Sequence, residues 1–311
     1  NTPHVELCQK LYDQSGGYRS LFALSGSDAV EAAVKLASHY QSVCGRRRKK
    51  IVSFTDAYHG ATNLSASIGA SGLEHNFYGV NPHPDIIKVS PDMHETVDWD
   101  TVMCIVVETC PHIVRYGPYA DSTYNKITEI QSKHDVIVIM DDIWMSGGKT
   151  GTWNGFASLP INPDIFTQGK AITAGHFPLS TVMYNQKIHD VIEQQAWVHG
   201  HTYSFSLPGV ISVLEYMQVL EEHQYMQRVD QNVERAYKAF AECDCEVKYN
   251  FKSIFFVEAD QTVFRFMIPL NATDEYFDAI NETIKVSVEQ QPKKNWTNIV
   301  TELNQIQNET K

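Results

Sequence analysis

No run of apolar residues in this chain approaches the ~20 needed to span a bilayer, so no membrane segment is expected. Positive charge is also short: 25 Lys and Arg stand against 37 Asp and Glu, a formal charge of −12. Such a surface repels the phosphates of nucleic acid, and nucleic-acid binding is not expected. The six cysteines, at 8, 44, 104, 110, 243 and 245, lack the spacing of a zinc or redox hook. They read as free thiols, and no metal site is expected. Nothing near the start has the pattern of a secretory signal, although the chain begins at Asn1 rather than Met. Without that signal, the sequons at Asn63, Asn271, Asn281, Asn295 and Asn308 read as chance. A cytoplasmic location is the expectation.

What the chain does have is an ordinary globular composition, 43% hydrophobic and 20% charged, and enough length for a large core. Its one basic run, Arg46 to Lys50, follows a helical pattern and Gly45. A polyanion patch is one reading, and a solvated helix end favoured by the helix dipole is the preferred one.

Helical spacing begins over 5–13, then a short strand is expected over 20–24, running into Ser25-Gly26-Ser27. Ala29, Ala32, Ala33, Leu36, Ala37 and Tyr40 follow at helical intervals, with Ser25 and Asp28 in a capping-box pattern. A strand that enters a helix through such a turn offers unpaired N–H groups and a positive dipole end to a phosphate. Further apolar strands are expected over 51–54, 104–107, 135–140, 165–168 and 180–184. Short apolar strands alternating with helices imply an α/β fold, a largely parallel sheet covered on both faces. Tyr58, Glu108, Asp141 and Lys170 all fall just past strand carboxyl ends, where such sheets gather functional groups. A long helix over 208–240, three strands over 246–249, 253–258 and 262–268, and a helix over 274–287 complete the pattern. The expected division is an N-terminal helical segment 1–19, a large domain 20–235 and a small α+β domain 236–311.

An aspartate ending one buried strand and a lysine following the next suit chemistry through pyridoxal phosphate. The lysine amine forms a Schiff base and shuttles a proton, and the aspartate keeps the pyridine nitrogen protonated. Taken alone, each has a plainer reading, as a turn cap and as a solvated loop lysine. The surrounding blocks resolve this. Ser25-Gly26-Ser27-Asp28 with its helix, Tyr58-His59-Gly60, Asp141-Asp142-Ile143 through Gly148-Lys149-Thr150-Gly151, Asn162-Pro163-Asp164-Ile165 with Gly169-Lys170-Ala171, and His199 through Ser204 occur in one order. Over residues 20–220 the chain thereby resembles the class III (omega) aminotransferases.

The resemblance implies a fold-type-I large domain, a mostly parallel seven-stranded sheet with helices on both faces, plus the small domain. It implies pyridoxal 5'-phosphate as cofactor and a homodimer with shared active sites. Ser25, Gly26 and Ser27 would take the phosphate, Tyr58 would stack on the ring, and Asp141 would pair with its nitrogen. Glu108, Ile143 and Trp144 would complete the cofactor site, and Lys170 would carry the Schiff base. Thr202 would reach the phosphate of the neighbouring subunit. His59 would pack beside the ring or serve structure alone. Arg265 lies where family members bind a substrate carboxylate or an acidic neighbour, a role that suits a planar guanidinium.

The pattern also departs from the family. After Glu108 the family's later Gly and Glu positions hold His112 and Ile113. Trp144 replaces a glutamine that contacts the phenolic oxygen, and Phe205-Ser206-Leu207 replaces Gly-Asn-Pro. The long segment that family members carry ahead of the Ser-Gly-Ser turn is largely absent. The expected activity is amino transfer between a small-molecule amino donor and a keto acceptor. Two alternatives stay open: an aminomutase of the glutamate-1-semialdehyde type, and a cofactor-binding relative with little transferase activity.

Overall fold

The computed structural model describes residues 2–69, 83–111, 117–195, 197–242, 245–259, 262–277, 279–280 and 282. Its elements form two compact units, Asn1–Asp230 with Phe251–Ser253, and Gln231–Asn250 with the described residues from Ile254 onward.

The first unit opens with α1 (Thr2–Gln14), β1 (Arg19–Ala23) and α2 (Gly26–Val43). Then follow β2 (Lys50–Phe54), α3 (Asn63–Ile68), β3 (Ile86–Val89), β4 (Val102–Glu108) and α4 (Asp121–His134). Next come β5 (Ile137–Asp141), β6 (Ile165–Gln168), β7 (Ser180–Tyr184), α5 (Gln186–Gln194) and α6 (Leu207–Glu222). The seven strands lie in the order β1-β7-β6-β5-β4-β2-β3. The pairs β6–β5, β5–β4, β4–β2 and β2–β3 are parallel, and β7 runs antiparallel to both β6 and β1. Five strands, β1, β2, β4, β5 and β6, therefore point their carboxyl ends to the same edge, as does β3.

Burial follows from residue type. Ala29, Ala32, Ala33, Leu36, Ala37 and Tyr40 form the buried stripe of α2, and the small alanines let it lie close on the sheet. Ile137 and Ile139 of β5 share that core. Val138 and Met140 point to the opposite face by the strand's period of two, and they too are fully buried. The sheet is thus covered on both faces, which is why its strands read as unbroken apolar runs. Ser25 caps α2 by accepting the Asp28 amide at 3.2 Å. The return bond of the expected capping box goes one residue further back, from the Leu24 amide to Asp28 at 3.0 Å.

Three expectations need correction. Asp135 does not open β5. It ends α4 in the left-handed region at φ +51°, where an aspartate is tolerated better than most residues. The helix expected over 208–240 is interrupted: α6 stops at Glu222, and α7 (Val229–Glu242) starts anew. Gln224 takes φ +52°, and its amide and that of Tyr225 close back onto the Glu221 and Leu220 carbonyls. No Gly or Pro marks that stop. The basic run is not simply a solvated helix end either. Arg46 binds Asp135, and Arg48 donates to the His134 carbonyl at 2.6 Å, so the run satisfies the last carbonyls of α4.

In the second unit, β8 (Glu246–Phe251), β9 (Ile254–Ala259) and β10 (Thr262–Met267) form a sheet in the order β10-β9-β8, with β10 and β9 antiparallel. Its core joins Ala236, Ala239 and Phe240 to Phe255, Ile268, Phe277 and Ile280. Residues 274–277 are helical. The remainder of the helix expected over 274–287 and the tail 290–311 lie largely outside the described residues, as do His112 and Ile113.

Candidate active site

A cleft opens at the carboxyl edge of the seven-stranded sheet, lined by Gly26, Ser27, Tyr58, His59, Gly60, Glu108, Asp141, Ile143, Trp144 and Lys170. Each comes from the end of a strand, the turn after it or the first turn of the helix that follows. Residues up to 144 positions apart in sequence meet because parallel strands deliver their ends to one edge.

One wall is the N-terminus of α2, whose first amides have no carbonyl partner within the helix and carry its positive dipole end. Gly26 packs so closely that a Cβ there would sit 2.8 Å from Ile143 Cδ1. Gly60 adopts φ +122°, and a Cβ on it would collide with the Ser27 side chain. Ser27 Oγ accepts the Ala61 amide at 3.0 Å, which joins the two turns. Two glycines and a serine hydroxyl around a helix N-terminus make a cradle suited to a phosphate.

The floor holds the titratable groups. Asp141 Oδ2 lies 2.8 Å from His59 Nδ1, and its Oδ1 accepts the Ile143 amide at 3.2 Å. His59 is buried, and its Nε2 has no hydrogen-bond partner among the described residues. Glu108 accepts the Tyr58 amide at 2.7 Å. Burial pushes the Glu108 carboxyl up to about 8, and the charge of Asp141 adds to this. His59, the Tyr58 amide and Lys170 oppose it. Lys170 follows β6 on an extended Gly169 and takes φ +48° itself, at an exposed position in the cleft. A left-handed conformation at a bulky residue costs about 1 kcal/mol or more and marks a position held by its surroundings.

Behind this floor lies a network that the sequence did not single out. Asp142, fully buried, accepts the Thr109 hydroxyl at 2.7 Å and the Gly155 amide at 2.8 Å. Burial raises its carboxyl to about 7, with those bonds opposing. Lys149 donates to the Trp144 and Ser146 carbonyls, and burial lowers its ammonium to about 8. Adjacent aspartates on one strand end alternate between faces, so Asp141 enters the cleft while Asp142 braces the loop behind it. That alternation was the available signal.

The remaining candidates lie elsewhere. Ser25 serves as the α2 cap and is not in the cleft lining. Thr202 is exposed in a turn and does not line this chain's cleft. Arg265 is an exposed residue of β10 in the second unit. Among the described residues, no group of three or more His, Cys, Asp or Glu could hold a metal ion, and no helix is long and apolar enough to cross a membrane.

The sheet, with lysine, aspartate and anion cradle at its carboxyl edge, has the architecture of the fold-type-I pyridoxal-phosphate proteins. The chain belongs to the class-III aminotransferase family, whose sequence model it matches over residues 1–255. It is 28% identical over 296 residues to vanillin aminotransferase of Capsicum frutescens, covering 77% of this chain and 60% of that protein. It is 26% identical to the mitochondrial gamma aminobutyrate transaminase 1 of Solanum lycopersicum, over 77% of this chain and 54% of the relative. The chain thus spans about half the length of the curated relatives it matches. Among solved structures, an omega-aminotransferase from Paracoccus denitrificans superposes with a TM-score of 0.81 at 20% identity, over 93% of this chain and 80% of that one. A PMP-bound aminotransferase from Vibrio fluvialis gives 0.79 at 19% identity, over 93% and 79%. At such identities the solved structures bear on the fold alone.

Proposed function

We propose that the chain carries the cofactor site of a pyridoxal-phosphate-dependent aminotransferase that moves an amino group between an amino donor and a keto acid or aldehyde. The observation that carries this reading is a cleft in which Lys170, in a left-handed backbone conformation, shares its lining with the Asp141–His59 pair and the α2 cradle. A planar, monoanionic or dianionic cofactor with one basic ring nitrogen fits that set of groups.

Pyridoxal phosphate supplies an aldehyde that condenses with amines and a ring that accepts electrons from the substrate carbon. The protein's part is attachment, orientation and proton handling. Gly26 and Ser27 would bind the phosphate through amides, a hydroxyl and the helix dipole. Asp141, positioned by His59 and the Ile143 amide, would keep a proton on the ring nitrogen. Tyr58 and Ile143 would hold the ring, and Trp144 could offer its indole N–H as a donor. The Lys170 amine would hold the cofactor and serve as the proton carrier at the substrate carbon. Arg265 would bind a substrate carboxylate. Thr202 would serve the cleft of a second copy, making the active unit a homodimer, and a cytoplasmic location accompanies this reading. The domain assignment 1–19, 20–235 and 236–311 belongs to the same proposal.

The test is the absorption spectrum of the purified protein with added pyridoxal phosphate, beside Lys170→Ala. A borohydride-reducible band in the parent alone supports the assignment. No such band in the parent removes Lys170 as the attachment point.

A further inference from the structure

The parallel strands β4 and β5 pair Glu108 directly with Asp141. Paired positions on neighbouring strands project to the same face of a sheet, at a separation of about 5 Å. Both carboxyls line the cleft, and both are buried, at 4% and 8% exposure. Two ionised carboxylates side by side and away from water repel strongly, and such a site keeps a proton. The two acids meet different groups. Asp141 faces the imidazole of His59 at 2.8 Å and accepts the Ile143 amide. The partners of Glu108 include the Tyr58 amide at 2.7 Å.

We propose that the pair carries a single negative charge, held on Asp141, and that Glu108 stands in the cleft as a neutral carboxyl able to donate a hydrogen bond. Among the described residues, the charged or titratable groups that act on or face Glu108 are His59 after β2, Asp141 on β5, Lys170 after β6, and Tyr119 ahead of α4. Burial is the largest influence and favours the neutral form, bringing the carboxyl to about 8. The consequence, which rests on the cofactor reading above, concerns an anionic oxygen on a bound ring. A neutral Glu108 donates to it, where an ionised one would repel it. Glu108 is thus a positioning residue that sets the cleft's proton inventory, while Asp141 keeps the charge that a protonated ring nitrogen requires.

The protonation itself is tested without cofactor, so its failure is separate from any failure of the Lys170 assignment. Urea stability is measured at intervals from about pH 5 to about pH 8 for the parent, Glu108→Gln and Asp142→Asn. A carboxyl raised from its ordinary 4.5 to about 8 binds more protons in the folded state than in the unfolded state between those values. Its contribution is therefore intact below the lower value and is lost as pH rises to the upper one. Glu108→Gln, an isostere of the neutral acid, should gain on the parent across that window, by roughly several hundredfold in the folding equilibrium constant. Asp142→Asn controls for the other buried acid, which is raised to about 7. The second readout is the infrared carbonyl stretch of a protonated carboxyl. Recorded in an Asp142→Asn background, so that the other buried acid adds nothing, it should be present at neutral pH and lost when Glu108→Gln is added. With Asp141→Asn added instead, where the neighbouring charge is gone and Glu108 ionises more readily, it should disappear at a lower pH. Equal pH slopes for parent and Glu108→Gln, with no such stretch at neutral pH, would overturn the proposal.

Discussion

Strand β5 has a charged cluster at each end, and the two are built differently. At the amino end Asp135 accepts the Tyr40 hydroxyl at 3.1 Å, the Lys187 ammonium at 2.7 Å and the Arg46 guanidinium. Lys187 also reaches Asp164 at 3.3 Å. Asp135 is one-third exposed, and burial works against its charge. The hydrogen bonds and charges of Lys187 and Arg46 outweigh that and hold the carboxyl below its ordinary range. At the carboxyl end the acids are buried, one is pushed up to about 8, and the facing lysine sits on a left-handed backbone. Opposite charges matched at a partly wet surface are a fastening, and desolvated, unevenly matched charges around a cleft are the arrangement that chemistry needs.

The largest expected effect lies at the carboxyl end. Asp141→Asn keeps the shape of the side chain and removes the charge that His59 faces. Single-turnover amino transfer should fall by about 10²–10⁴-fold, while urea stability changes by less than about 1.5 kcal/mol. A rate unchanged within about threefold would break the contrast, because the buried end would then be a fastening too.

Gly60→Ala sharpens the contrast at the cradle. The new Cβ would meet Ser27 Oγ and occupy a φ of +122°. Strain of that kind costs about 1–3 kcal/mol. Part of it should surface as weaker cofactor binding, since Ser27 links the α2 turn to Ala61. Equilibrium dialysis of pyridoxal phosphate beside a urea melt separates the two. Full stability and full affinity together would show that the turns are not coupled.

The two ends also differ in how far the sequence disclosed them. Lys170 and Asp141 could be found because each ends or follows an apolar strand, and parallel sheets gather such residues at one edge. The Asp135 fastening stayed hidden. Its partners come from two distant segments, Tyr40 and Arg46 around the end of α2 and Lys187 in α5, and a run of five like charges gives no sign of which arginine turns inward. The His59–Asp141 contact spans 82 residues and is likewise a product of the fold. The break after Glu222 escaped notice because Gln224 takes a left-handed conformation usually signalled by Gly. Thr202 and Arg265 had no local signal at all, and only the family resemblance singled them out.

The smallest expected effect belongs to the fastening and tests it by pH. Asp135→Asn keeps a residue tolerant of φ +51° and removes the charge shared by Arg46 and Lys187. Because the group is one-third exposed and screened, the loss should be about 1 kcal/mol near neutral pH. The folded carboxyl titrates below its ordinary 3.8, so its contribution is present above that value and is lost as pH falls through the lower folded one. Urea curves of parent and variant should therefore stay apart at neutral pH and converge on the acid side. This is the reverse of Glu108, whose contribution is lost as pH rises. The cofactor band should be the same in both proteins. A variant that instead diverges further in acid, or that shifts the band, would mean the amino end of β5 is coupled to the cleft and the two ends are one system.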